Sequence, residues 1–233
     1  MVRSRDLGDE GGGALEEFKR VRVVRKRDQD RSRRVLNVGA GGAPVHKAFR
    51  KAEWREVRVD LDEGAEPDVV GSIVDLPSLF PSERFDAVWC SHCLEHLYDH
   101  ELAAALGGFR AVLQEDGFAL IACPDLMAVA ELLAAGKLEE TAYVSPAGPV
   151  RALDMLFGFS PAIAAGNQFM AHRTGFTVDR LGRLLLEAGF REVRVATRTK
   201  FELWAVALMP KADEGLVRGW LRSTPQKFLV AEV

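Results

Sequence analysis

From residue 33 onward the chain alternates short apolar runs with stretches of helical periodicity, and few architectures accept that order. Apolar runs occupy 34–38, 56–61, 68–73, 85–91 and 118–124, with a helical stretch expected near 44–51. Another helix is expected in HELAAALGGFRAVLQEDG, where Leu102, Leu106, Phe109 and Leu113 recur at three- and four-residue steps. The alternation predicts an α/β fold, a largely parallel sheet with helices on both faces. TVDRLGRLLLEAGF reads as a helix that Thr177 caps at its start and Gly189 at its end. In EVRVATRTKFELWAVALMP two β-rich runs meet at a turn near Arg198 to Lys200. So short a turn joins only antiparallel neighbours, because a parallel crossover takes roughly a dozen residues or more.

Composition narrows the class. At 233 residues, 48% hydrophobic and 28% charged, the chain can bury one sizeable core as a single main domain. A formal net charge of −3 gives no overall pull toward nucleic acid or an anionic membrane. Three cysteines, Cys90, Cys93 and Cys123, cannot all pair with one another and fit a reducing, cytoplasmic setting. No run of 18 apolar residues and no secretory h-region occurs, so neither a membrane nor an export partner is expected. Residues 1–32 form an acidic, Gly-rich start followed by a basic arm. Across 19–34 nine Lys or Arg stand against two Asp, a run that reads as a solvated face or as a contact for RNA phosphates.

The first apolar run ends in glycines, VLNVGAGGAP, so the backbone there must come close to something. A pyrophosphate loop places a third glycine three residues after the second, yet Pro44 stands there and has no N–H to offer an anion. Asp60 ends the second run, nineteen residues after Gly41, where an acid can accept both hydroxyls of a ribose. Asp75, in GSIVDLP, ends a third strand-like segment, where a carboxylate can accept an adenine amino proton while Leu76 covers the ring. Two acids without a phosphate-binding lysine suit a nucleoside that carries no phosphates.

With VLNVGAGG as first motif and LEHL after the fourth strand, the chain resembles the class I S-adenosylmethionine-dependent methyltransferases over residues 33 to about 210. The resemblance implies a Rossmann-like seven-stranded sheet, mostly parallel with one antiparallel strand near the C-terminal end, and S-adenosylmethionine as cofactor. Gly39 and Gly41, with Ala40 between them, would pass beneath its methionine part. Asp60, with Leu61 beside it, would hold the ribose, and Asp75 with Leu76 the adenine. Ser91 and His92 would line the site near the sulfonium. Asn37 stands where related proteins often carry an acid that contacts the cofactor's amino group.

The segment CSHCLEHLYDH admits more than one chemistry. His92-x-x-Glu95-His96 fits an inverted zinc-peptidase pattern, but that pattern belongs within one helix and His92 directly follows an apolar strand. Some methyltransferases carry an E-x-x-E-H version that binds a divalent ion, and here His92 replaces the first Glu. Glu95 and His96 are expected to organise the loop over the cofactor, and no metal ligand is assigned. Cys90 and Cys93 are expected to be core thiols. A long insert, about 125–175, should begin with a helix over DLMAVAELLAAGKLEE and cap the acceptor, with Phe157, Phe159, Phe169 and Met170 around an apolar small molecule. His172 returns toward the sheet just before the last helix of the domain, and Tyr143 and Asp125 are weaker polar candidates. Either His172 or His92 is expected to take the acceptor's proton, as histidine suits that task near neutral pH. The tail 211–233 places Leu216, Val217, Trp220 and Leu221 at helical spacing, for packing on the body or on the second subunit of a homodimer. The expected methyl acceptor is an O, N or S nucleophile of a small molecule, reached by in-line displacement, with RNA or protein as the alternative that the basic arm suggests and a non-catalytic nucleoside-binding protein as the other.

Overall fold

In a computed structural model that describes residues 32–199 and 201–230, the alternation becomes a seven-stranded sheet. Its strands are β1 (Arg33–Val38), β2 (Trp54–Asp60), β3 (Val69–Val70), β4 (Phe85–Ser91), β5 (Leu113–Pro124), β8 (Glu192–Thr199) and β9 (Glu202–Leu208), in the order β3-β2-β1-β4-β5-β9-β8. β9 runs antiparallel to β5 and β8, while the other neighbours pair in parallel. The expected β8–β9 hairpin is present, although Lys200 in its turn lies outside the described residues, as does the arm up to residue 31.

Side chains alternate across this sheet and so divide the interior in two. Leu36, Val38, Val88, Cys90, Ile121 and Leu203 face one core. It is covered by α1 (Leu76–Leu79), α2 (Leu102–Val112) and α6 (Val178–Glu187). The Thr177 hydroxyl accepts the Arg180 N–H at 3.3 Å and Gly189 follows the α6 C-terminus at φ +94°, the two caps expected. Val35, Trp89, Phe118, Leu120, Trp204 and Val206 face the other core. Over it lie one 3-10 turn, Lys47–Phe49, and the C-terminal segment, α7 (Glu214–Leu221) with a 3-10 stretch Pro225–Val230. The tail therefore packs on the body: Val217, Leu221, Leu229 and Val230 are buried, and Trp220 stacks on Phe118 at 5.6 Å between ring centroids.

Several local expectations give way. The helix expected near 44–51 is only the turn Lys47–Phe49, since Pro44 leaves few residues to wind and α7 supplies the missing cover. The third strand shrinks to Val69–Val70, and Asp75 ends a 3-10 turn, Ile73–Asp75, instead of a strand. β5 starts at Leu113, where the helical pattern was expected to continue. The helix opening the insert, α3 (Leu126–Ala134), stops before Gly136, and an unforeseen hairpin of β6 (Thr141–Ser145) and β7 (Gly148–Arg151) follows. Two short helices complete the cap, α4 (Ala152–Phe157) and α5 (Ser160–Ala164). Asp154 joins them, accepting from Arg151 Nε at 2.9 Å and Nη2 at 3.1 Å, from the Arg151 N–H, and from the Ser160 N–H. Those bonds, the Arg151 guanidinium first, hold its carboxyl well below the usual carboxylate range.

Two outcomes follow from this packing. Leu221→Ala empties a fully enclosed site and should lower unfolding free energy by about 2–4 kcal/mol in urea melts; a loss below about 0.5 kcal/mol would place the tail outside the core. Because the folded Asp154 pKa is depressed, its contribution is present above the unfolded carboxylate pKa and fades as pH falls below it. Asp154→Asn should accordingly be less stable than wild type at pH 7, with the gap between the two melting temperatures narrowing as the pH is lowered through the acid range.

Candidate active site

β1 delivers the chain into a loop that turns back on itself at Gly39 (φ +60°) and Gly41 (φ +50°). A Cβ on Gly39 would stand 2.3 Å from Cys93 Sγ, so the turn after β4 presses directly on this loop and only glycine fits. The Gly41 N–H donates to Asp60 Oδ2 at 2.8 Å, and the Asp62 N–H donates to Oδ1 at 2.9 Å. Arg58 ties the same loops together, donating to the carbonyls of Gly41, Ala65 and Glu66. Beyond Gly41 and Gly42 the space is open, with no heavy atom within 4 Å of the point where a Cβ would stand. Leu61 beside Asp60 is 50% exposed, and the Ala40 N–H donates to the Val59 carbonyl. Ser91 is half-buried at the end of β4, paired with Ala122.

Two expected cofactor contacts change here. Leu76 is fully enclosed in the core, so it has no face to offer an adenine ring, and only the exposed Asp75 remains at that place. Asn37 is buried and donates its amide N–H to Glu56 Oε1 at 2.7 Å, which anchors it to β2.

At the other side of the β4 end lies a cavity of about 210 Å³, closed over by the insert. Pro124, Val150, Met155, Phe159, Met170 and Phe201 make its walls apolar, while Tyr143, His92, Glu95, His96 and His172 make one end polar. His92 has φ +49°, a left-handed conformation uncommon outside glycine, and its backbone N–H still pairs with the Ala122 carbonyl. The bend places the imidazole between two carboxylates, Glu202 at 3.1 Å and Glu95 at 3.3 Å. Burial disfavours its charged form, but the bonds to Glu202 and Glu95 prevail and push its pKa up to about 10. An imidazolium has no lone pair to take a proton, so this setting argues against His92 as the expected base. The 3-10 turn Leu94–His96 also excludes the peptidase arrangement, since His92 is not on one helix with Glu95 and His96.

Glu95 is 1% exposed, and apart from the His92 imidazole 3.3 Å from Oε1 its carboxylate has no hydrogen-bond partner among the described residues. Burial would raise its pKa, yet His92 first, then His96 and His172, hold it lower. Its backbone carbonyl accepts the N–H groups of Arg173 at 2.8 Å and Thr174 at 3.2 Å, which brings the end of the insert onto this turn. His172 thus arrives 4.9 Å, ring to ring, from His96. His172 Nδ1 lies 2.9 Å from the Met155 carbonyl, and His96 Nδ1 3.2 Å from that of Ala171. A carbonyl only accepts, so both rings carry hydrogen on Nδ1, and in the neutral ring the lone pair lies on Nε2. Burial also lowers the His172 pKa, favouring the neutral ring. Ligand atoms of Glu95, His96 and His172 lie within 4.8 Å of one another, a grouping the sequence alone did not assign. Phe157 and Phe169, expected around the acceptor, are 63% and 52% exposed and lie outside the cavity wall, whereas Phe159 and Met170 line it. Asp125 is structural: it caps α3 through the Met127 N–H and accepts from the Thr197 hydroxyl. Glu202, on the last strand, carried no signal in the sequence. Cys90 and Cys123 are buried thiols, raised in pKa chiefly by burial.

Residues 36–121 match a family model described as a methyltransferase domain. That segment runs from β1 into β5, so the part of the chain that carries the glycine loop and Asp60 is similar to a methyltransferase domain. Among solved structures, a SAM-dependent methyltransferase from Archaeoglobus fulgidus is similar at 14% identity and TM-score 0.50, over 76% of this chain and 86% of that one. The PH0226 protein from Pyrococcus horikoshii OT3 is similar at 17% identity and TM-score 0.50, over 78% and 84%. An O-methyltransferase family protein from Burkholderia thailandensis gives 13% identity and TM-score 0.51, over 78% of this chain and 52% of that one. At these identities the likeness establishes the fold. No curated protein matches the chain. S-adenosylmethionine, the cofactor expected from the sequence, fits what stands around the glycine loop: open space over Gly41, a carboxylate at the β2 end and an exposed apolar Leu61 next to it.

The two glycines should separate by substitution. Gly41→Ala meets open space, so its backbone strain of about 1–2 kcal/mol should leave the protein folded while the added methyl weakens S-adenosylmethionine binding at least tenfold. Gly39→Ala should lose several degrees of melting temperature more, from the collision with Cys93. Calorimetric titration and thermal melts check both; equal melting temperatures would contradict the contact.

Proposed function

We propose that this methyltransferase methylates a hydroxyl-bearing small molecule, held in the cavity beneath the insert with its nucleophilic oxygen toward His172, Glu95 and His96. The carrying observation is the cavity itself, small, apolar-walled and polar at one end, beside the end of β4. About 210 Å³ suits a compact acceptor group. S-adenosylmethionine, when bound, supplies a methyl group activated by its sulfonium. The chain's own task is then to align the acceptor, exclude water and remove one proton. Gly39, Ala40, Gly41, Asp60, Leu61, Asp75 and Ser91 are the proposed cofactor contacts; Asn37 supports the loop from β2. Charged His92 lies between Glu95 and Glu202 and fixes the polar end. His172, held by the Met155 carbonyl at Nδ1, presents Nε2 toward the acceptor's hydroxyl and is the residue on which its deprotonation depends.

The test is S-adenosylhomocysteine formation from labelled cofactor with small phenolic and enolic hydroxyl compounds, run beside RNA. His172→Ala should lower kcat by about 10²–10⁴-fold while leaving the cofactor Kd within twofold. Wild-type turnover by that variant would mean that alignment alone drives the reaction. Removing residues 1–31 should leave small-molecule turnover unchanged, and methylation of RNA that depends on those residues would overturn the choice of acceptor.

A further inference from the structure

We propose that Glu95, His96 and His172 bind one divalent first-row transition ion, of the Zn²⁺ or Co²⁺ type, at the polar end of the cavity. The inference rests on the reading of that cavity as the acceptor site and names what activates the acceptor there. Three observations converge on it. The ligand atoms of two imidazoles and one carboxylate lie within 4.8 Å of one another. Ligands about 2.1 Å from a tetrahedral ion stand about 3.4 Å apart, so each group has to move less than about 1 Å. Glu95 is enclosed, and apart from the His92 imidazole 3.3 Å from Oε1 its carboxylate has no hydrogen-bond partner among the described residues, fewer than a buried carboxylate ordinarily has. Finally, both imidazoles donate Nδ1–H to main-chain carbonyls, Met155 and Ala171, the outer support that orients a histidine ligand and leaves Nε2 for the ion.

The donor set also selects among ions. Two imidazoles favour borderline ions such as Zn²⁺, Co²⁺ and Fe²⁺ over Mg²⁺, which prefers an oxygen shell. His92 stands behind the carboxylate, bridged to Glu202, and is not a ligand in this arrangement. Three protein ligands leave a coordination position for the acceptor's hydroxyl oxygen, whose proton passes to solvent more readily once it is bound. The resulting oxyanion uses a lone pair to form the O–CH₃ bond. The S–CH₃ bond breaks with its electron pair remaining on sulfur, and the other product is S-adenosylhomocysteine.

The experiment takes the full chain stripped by a chelator and titrated with Co²⁺, Zn²⁺ and Mg²⁺, following Co²⁺ absorption, metal per chain and cofactor affinity together. Wild type should take up one Co²⁺ or Zn²⁺ and bind Mg²⁺ at least 100-fold more weakly. Glu95→Gln, His96→Gln and His172→Asn should each weaken Zn²⁺ binding at least 100-fold with the cofactor Kd kept within twofold, which also certifies their folding. X-ray absorption of Zn²⁺-loaded wild type needs no variant and should show two imidazoles in the first shell. Absence of stoichiometric uptake, a shell without imidazole, Mg²⁺ bound as tightly as Zn²⁺, or affinity unchanged in all three variants would overturn the site. Zn²⁺ uptake lost in the variants, in a wild type that binds no S-adenosylmethionine, would sustain the ion site and sink the methyl-transfer reading alone.

Discussion

The acceptor end of this protein hangs on one carbonyl. Glu95 stands on a turn too short to fill its own hydrogen-bonding capacity, and its main-chain oxygen takes the N–H groups of Arg173 and Thr174. Nearly eighty residues of sequence separation are closed there. At its other end the insert is held by the Asp125–Phe176 bridge and by the Leu126 N–H to the Phe176 carbonyl, so the cap leaves and rejoins the sheet at nearly one place. Between those anchors the chain folds back on itself where Gly158 runs against Met170 and Ala171, a contact that no side chain at 158 would permit. The side chain of Glu95 then sits buried beneath the returning backbone.

Three histidines meet around that carboxylate and differ because their partners differ. His92 has a carboxylate near each ring nitrogen and is positively charged. His96 and His172 have main-chain carbonyls on Nδ1, and burial favours the uncharged ring of His172. Residue type alone would have treated all three alike. What each can do is decided by whether its neighbour is an acid or an amide, and those neighbours come from β9, α4 and the end of the cap.

Much of the fold was legible because it depends on local pattern. Period-two apolar runs, the brief turn that forces β9 antiparallel, and Thr177 and Gly189 at the ends of α6 all act within a few residues. The missing helix near residue 44 was not legible, since the face it would have covered is filled by α7 from the far end of the chain. Leu76 follows an acid in the expected way, yet whether it covers a ligand or a core depends on α2 packing over it. At the site, the glycine loop and Asp60 were visible as motif and spacing. The meeting of His172 with Glu95 and His96 was not, because it is made by main-chain hydrogen bonds across an insert without periodicity, and Glu202 gave no sign at all.

The C-terminal segment carries a consequence for how the molecule is made. Phe118, Trp89 and Trp204 lie on a sheet face whose lid includes residues 217–230. During synthesis from the N-terminus, strands β1, β4 and β5 emerge long before that lid exists. For that interval an apolar surface that includes Trp89 and Phe118 lies bare beside the growing chain, the kind of surface on which aggregates form. Arrival of residues 217–230, more than the pairing of the strands, is the event that covers this face.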